Sequence, residues 1–166
     1  MHIKPKHIVT LAAAAGAALA LSSTGGATTA GCTAGMTTYG GASARVFCGP
    51  AVANVHADGK KFSIRKGSCE KTSSYVSVNI GTVVLGATKK KQPEYFGLLV
   101  GRSLGLSGPT AGKDGTYHNG IVGVVHAGKG YALRANATVT LSKGRSHGTF
   151  RATSIDGSTV TGSFTC

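Results

Sequence analysis

Tryptophan is absent and acidic side chains are scarce: only five Asp and Glu stand against 18 Lys and Arg in 166 residues. The five acids, Asp58, Glu70, Glu94, Asp114 and Asp156, lie far apart, so the paired carboxylates of a glycoside hydrolase are not expected. Neither Cys-x-x-Cys nor Cys-x-x-His occurs, which removes the usual zinc spacings. The longest apolar run, Ile8 to Leu21, is too short for a membrane-spanning helix. Long runs of strong helix formers are also missing. What is abundant is Gly, Ala, Ser, Thr and Val, with 26 glycines in all, a composition suited to short strands and tight turns.

The N-terminal 30 residues read as a signal peptide. Lys4 and Lys6 precede the alanine-padded run Ile8 to Leu21, and Ala27-Thr28-Thr29-Ala30 offers small residues for cleavage after Ala30, or after Ala27. An alternative is a lipobox, Thr29-Ala30-Gly31-Cys32, with the chain lipid-anchored to the cell surface through Cys32. Thr29 stands there where a large aliphatic is usual, and lipidating Cys32 would leave an odd number of thiols outside the cell. Export to a secreted or extracellular location, with no transmembrane span after processing, is the expectation. The remainder is long enough for one domain with its own core.

Four cysteines, Cys32, Cys48, Cys69 and Cys166, allow three pairings, and in an oxidising compartment disulfides are favoured over metal binding. Cys32–Cys48 with Cys69–Cys166 is preferred. Cys166 closes the sequence, yet it is in phase with Val160, Gly162 and Phe164 on the apolar face of its strand. A terminal thiol pointed at a core needs something to hold it, and a disulfide would do so.

Residues 31–43 read as a flexible Gly-rich arm and 44–166 as the β domain. Asp58-Gly59 between Ala51–Ala57 and Lys60–Arg65 is a hairpin signal, and so is Asp156-Gly157 in the terminal stretch. Val76, Val78 and Ile80 alternate with Ser77 and Asn79, and Ala137, Val139 and Leu141 alternate with Thr138 and Thr140. Arg102 to Thr116 reads as a long loop, with a strand starting only at Ile121. The expected fold is all-β: a single small antiparallel sandwich or barrel of about eight to ten short strands, stapled by disulfides.

The stretch Cys69-Glu70-Lys71-Thr72-Ser73-Ser74-Tyr75-Val76-Ser77-Val78-Asn79-Ile80-Gly81, the later Lys113-Asp114-Gly115 turn and the Thr165-Cys166 end resemble the mycobacterial 19-kDa lipoprotein antigen family. That resemblance implies a surface-attached or shed β domain of actinobacteria, Cys69 bonded to Cys166, and no enzymatic activity. Cys32, Cys48 and the strong positive charge depart from the family pattern.

No catalytic constellation emerges. His56, His118, His126 and His147 are isolated in sequence, with His118 placed in a loop and the pair His126 and His147 at strand ends, where they could meet across a sheet. Gly101-Arg102-Ser103-Leu104-Gly105 spells a nucleophile elbow, but the residues that follow cannot form the required helix. Neither cofactor nor metal is expected. The net charge of +13 is the feature that asks for a partner. Lys60, Lys61, Arg65, Lys66, Lys89, Lys90 and Lys91 fall in or beside turns, where anionic cell-wall polymers, acidic glycans or lipid headgroups would be attracted. Nucleic acid is not the expected partner, because no tract interleaves aromatics with Arg. The reading is a non-catalytic secreted or envelope protein binding anionic polymers through basic loops. The alternative is a secreted inhibitor or effector presenting residues 104–117 to a target protein.

Overall fold

Side chains that alternate in polarity with a period of two make half-buried strands, and the alternations above all become strands. The computed structural model describes residues 31–86, 90–103, 107–131, 133 and 135–166. The segment expected to be a signal peptide, Lys89 and residues 104–106 lie outside the described residues. The strands are β1 (Gly35–Tyr39), β2 (Ala42–Phe47), β3 (Ala51–Ala57), β4 (Lys60–Lys71), β5 (Tyr75–Leu85), β6 (Tyr95–Gly101), β7 (Gly115–His126), β8 (Lys129–Tyr131), β9 (Ala137–Ser142), β10 (His147–Thr153) and β11 (Thr159–Thr165). No helix occurs among the described residues. Eight strands close an antiparallel barrel in the order β5-β4-β3-β11-β10-β9-β7-β6, with β6 returning to β5. β1 and β2 extend one side by pairing with β5, and β8 pairs with β7.

The barrel is filled by its own side chains, as an eight-stranded ring must be. Phe96 and Phe164 are fully buried, with Phe150 beside them, while β3 contributes Ala51, Ala53 and Ala57. Large rings on some strands thus face small residues on others. β10 and β11 do this reciprocally: Phe164 lies opposite Gly148 and Phe150 opposite Gly162. A Cβ on Gly148 would sit 2.6 Å from the Phe164 ring, and one on Gly162 would sit 2.6 Å from the Phe150 ring. Each ring occupies the space that its partner's missing side chain leaves.

The hairpin at Asp58-Gly59 is a two-residue turn with positive φ at both positions (50° and 70°), which Asp and Gly tolerate. β5 does continue past Gly81, and this glycine is where its neighbour changes from β4 to β2. Gly81 has φ +85°, and a Cβ there would stand 2.2 Å from the Glu94 carbonyl oxygen. Gly81→Ala is therefore expected to cost about 2–4 kcal/mol, a left-handed backbone penalty plus a clash with immobile backbone. Urea unfolding of the variant checks this; an unshifted midpoint would mean that the corner relaxes freely.

Two expectations are corrected. Residues 31–43 are not a loose arm: β1 and the start of β2 form a hairpin across Gly40-Gly41, whose φ values of 58° and 86° suit a tight turn. Thr37, Thr38 and Tyr39 favour extended backbone, and ladder bonds to β2 hold them with little burial. The strand expected from Ile121 begins at Gly115, because Asn119-Gly120 is a bulge in β7 and not a turn. The two longest strands, β4 and β7, have 12 residues each. β4 bends past a register shift opposite Ala51/Val52, which lets one strand serve β3 first and β5 second.

Cys32 bonds Cys48, and Cys69 bonds Cys166, the preferred pairing. Cys166 packs partly buried against the core, as the phase of β11 requires. Two disulfides accord with an oxidising, extracellular setting. The Cys32 sulfur joined to Cys48 is the same atom that a lipid thioether would need. Among the described residues no helix is long and apolar enough to cross a membrane.

Candidate functional site

The two ends of the barrel differ in chemistry. At the end where β4 gives way to β5, the Cys69–Cys166 bridge lies beside a plug made by the chain after β6. Ala111 is fully buried there, and its N–H donates to the Ser74 carbonyl at 2.8 Å. Arg145 reaches over from the β9–β10 turn and donates to the carbonyls of Thr72 and Ala111. Asn119 donates to the Gly101 and Ser107 carbonyls, and the Tyr117 hydroxyl donates to the Lys113 carbonyl at 2.8 Å. The described part of the 104–117 segment is thus folded onto the barrel, and its last residues belong to β7.

The opposite end gathers cations from three turns. Lys60 and Lys61 open β4 just after the Asp58-Gly59 turn. Lys129 follows Gly128 in the β7–β8 turn, and its ammonium donates to the Asp58 carboxylate. That hydrogen bond holds the Lys129 ammonium above the ordinary lysine value. The aliphatic stem of Lys91 lies against Gly128, so close that a Cβ there would fall 2.3 Å from Lys91 Cγ. Tyr39 from β1 donates its hydroxyl to the Lys91 carbonyl at 2.7 Å, and the Lys90 ammonium sits 5.9 Å from the Tyr39 ring centre. Beneath them Phe62 stacks on His126 at 3.8 Å, with Tyr131 6.5 Å beyond. The hairpin around Asp58 and the loop before Pro93 therefore meet, joined by a turn whose lysine the sequence reading did not single out. Its signal was Gly128-Lys129-Gly130, a lone cation in a glycine turn.

This end also holds carboxylates, each already engaged. Glu94 accepts from the Ala127 N–H at 2.8 Å and shares a hydrogen bond with His126 Nδ1 at 2.7 Å. Asp156 accepts from the Ser158 N–H at 2.9 Å, and this bond leads the causes that hold its carboxyl below the usual range. Arg65 and Lys66 do not join the cluster. They lie further along β4, and Arg65 is about 14 Å from Lys61 at the usual strand rise. Lys89 lies outside the described residues.

The histidines do not assemble. His126 sits at the cationic end, whereas His147 opens β10 at the disulfide end, so the two do not meet across a sheet. Their strands run in directions that separate those termini. His118 lies on the outward face of β7, not in a loop, with Nδ1 3.1 Å from the Thr138 hydroxyl. His56 points outward from β3. Ser103 lines a hollow of about 320 Å³ with Glu70, Tyr75, Ser77 and Leu99, and no histidine lines it. Among the described residues no group of three or more His, Cys, Asp and Glu is placed to hold a metal. No family model, no curated protein and no solved structure matches this chain.

Proposed function

We propose that this is a non-catalytic exported protein of the cell surface or its surroundings, binding anionic envelope polymers through the cationic end of the barrel. The observation that carries the reading is the convergence of Lys60, Lys61, Lys90, Lys91 and Lys129 from three separate turns, while Asp58, Glu94 and Asp156 are engaged locally. Cations held on turns at one end of a rigid barrel create a local positive field that a flexible polyanion can follow. Two of these ammonium groups lie near aromatic rings, Lys129 at 4.9 Å from the Tyr131 centre and Lys90 at 5.9 Å from the Tyr39 centre. Phosphate-rich wall polymers, acidic glycans and anionic headgroups share the chemistry that this surface attracts. The signal-like N-terminus and the two disulfides support an extracellular site of action. The resemblance to the mycobacterial 19-kDa lipoprotein antigen family belongs to the same reading. The Cys69–Cys166 bridge it implies is present, and the Cys32–Cys48 bridge departs from it.

Retention of the exported chain on isolated, phosphate-rich cell wall should fall steeply with added salt, because exposed charges are screened over about 10 Å at 0.1 M. The triple variant Lys60→Gln, Lys90→Gln, Lys91→Gln should bind about 10- to 100-fold more weakly, at up to about 1 kcal/mol per lysine near an anionic surface. Equal retention of variant and parent would remove this end of the barrel from the function.

A further inference from the structure

Running from Lys61 toward the disulfide end, the outer surface of β10, β11, β3 and β4 has a composition that neither turn chemistry nor solubility demands. Ladder registers align its outward side chains into rows that cross the four strands. One row runs Arg151, Thr161, His56, Lys61. The next runs Thr149, Ser163, Asn54, Ser63. The last runs His147, Thr165, Val52, Arg65. Rows stand about 7 Å apart along the strands, and neighbours within a row are about 4.8 Å apart. No carboxylate occurs in any row, and among the described residues the side chains of Arg151, Lys61 and Arg65 make no ion pair or hydrogen bond. An open groove of about 380 Å³ runs along this face between Asn54, His56, Lys61, Ser63 and Ser163.

We propose that this wall is a binding face for an acidic polysaccharide, a hydroxyl-rich chain carrying carboxylates at sugar spacing. Hydroxyls and amides outnumber the cations here, and the cations are spaced apart. Arg151 and Lys61 end the same row, about 14 Å from one another. A polyphosphate presents contiguous charge and has no use for the Thr149–Ser163–Asn54 row between the cations. A uronate chain presents both: carboxylates for the planar forks of Arg151 and Arg65 on the two outer rows, and ring hydroxyls for the Thr149, Ser163 and Asn54 row that lies between those rows. The strand spacing also suits a chain lying across the strands, with successive sugars meeting successive side chains. The proposal deepens the reading above and rests on its extracellular setting, and its surface meets the cationic end only at Lys61.

Polygalacturonate, its carboxyl-reduced neutral counterpart and polyphosphate are the probes, titrated against the exported chain with its disulfides intact. The wall variant Arg151→Gln, Arg65→Gln should bind polygalacturonate about tenfold more weakly or worse, as expected when charge-assisted hydrogen bonds are lost. The charge-preserving variant Thr149→Val, Ser163→Val should lose roughly threefold or more on the same polymer and nothing on polyphosphate, since valine keeps the strand. The neutral polymer should bind weakly or not at all. Unchanged polygalacturonate binding by both wall variants, or equal binding of the neutral polymer, would overturn the proposal. Polyphosphate retention lost only in the Lys60, Lys90, Lys91 variant, with the wall silent, would leave the cationic-end reading standing and sink this one. Binding to neither polyanion by the parent chain would sink both. Unchanged thermal midpoints establish that these surface variants fold.

Discussion

Replacing Cys69 and Cys166 together by alanine is expected to destabilise the protein by about 4–5 kcal/mol, the chain-entropy value for a closed loop of about 100 residues. The bridge spans 97 positions, so it encloses most of the barrel, from near the end of β4 to just past β11. It also joins two strands that are not ladder neighbours: β11 pairs with β3 and β10, and β4 with β3 and β5. The unfolded chain without it gains a large freedom, while the folded barrel loses the anchor of its last residue. The thermal midpoint should fall by roughly 10–20 °C. The paired variant Cys32→Ala, Cys48→Ala is the control. Its bridge spans 16 positions and pins the strands that lie outside the closed ring, so its loss is expected to cost less, about 3 kcal/mol. Urea unfolding of the two variants beside the parent decides this. Equal losses, or a larger loss from the shorter bridge, would mean that the long loop is already restricted in the unfolded chain.

Phe96→Ala should be the most damaging single substitution in the core, at about 3–5 kcal/mol. The Phe96 side chain is fully buried on β6 and meets Phe150 of β10 with ring centres 5.3 Å apart. Those strands are separated in the sheet by β7 and β9, so the rings touch across the interior and not along a ladder. Removing one leaves a cavity bounded by a closed wall of hydrogen-bonded strands, which can collapse only slightly. Phe47→Ala is the comparison: its half-buried ring lies outside the barrel against Tyr95 at 6.2 Å, and water can fill the space left. Calorimetric unfolding should show Phe96→Ala losing well over twice as much as Phe47→Ala. Comparable losses would place the energetic centre outside the barrel interior.

Both predictions draw on features of differing legibility. The phase of β11 was readable because alternation is local: Val160, Phe164 and Cys166 share a face whichever strands lie beside them. The turn at Asp58-Gly59 was readable because its residues tolerate the φ values the turn needs. β1 was missed because glycines and threonines carry no apolar alternation, and ladder bonds to β2 stabilise it more than burial does. The first half of β7 was missed because Asn119-Gly120 carries turn chemistry but is used as a bulge.

The candidate surfaces divide in the same way. Lys60, Lys61, Lys90 and Lys91 were visible as charges beside turns, yet their meeting depends on Gly128 accommodating the Lys91 stem and on Lys129 reaching Asp58. Arg151 drew no notice in sequence, being one cation among threonines. It acquires meaning only when Thr161, His56 and Lys61 stand in line beside it.

Alone, the sequence determined the all-β class, the strand faces, the principal turns and the positive charge, since each depends on neighbours a few residues apart. The tertiary structure decided barrel over sandwich, because closure rests on β11 pairing with β3 and β6 pairing with both β5 and β7. It also decided which cations share a surface and which rows they form. Register between distant strands is set by closing the ring and packing its interior, and no local pattern encodes it.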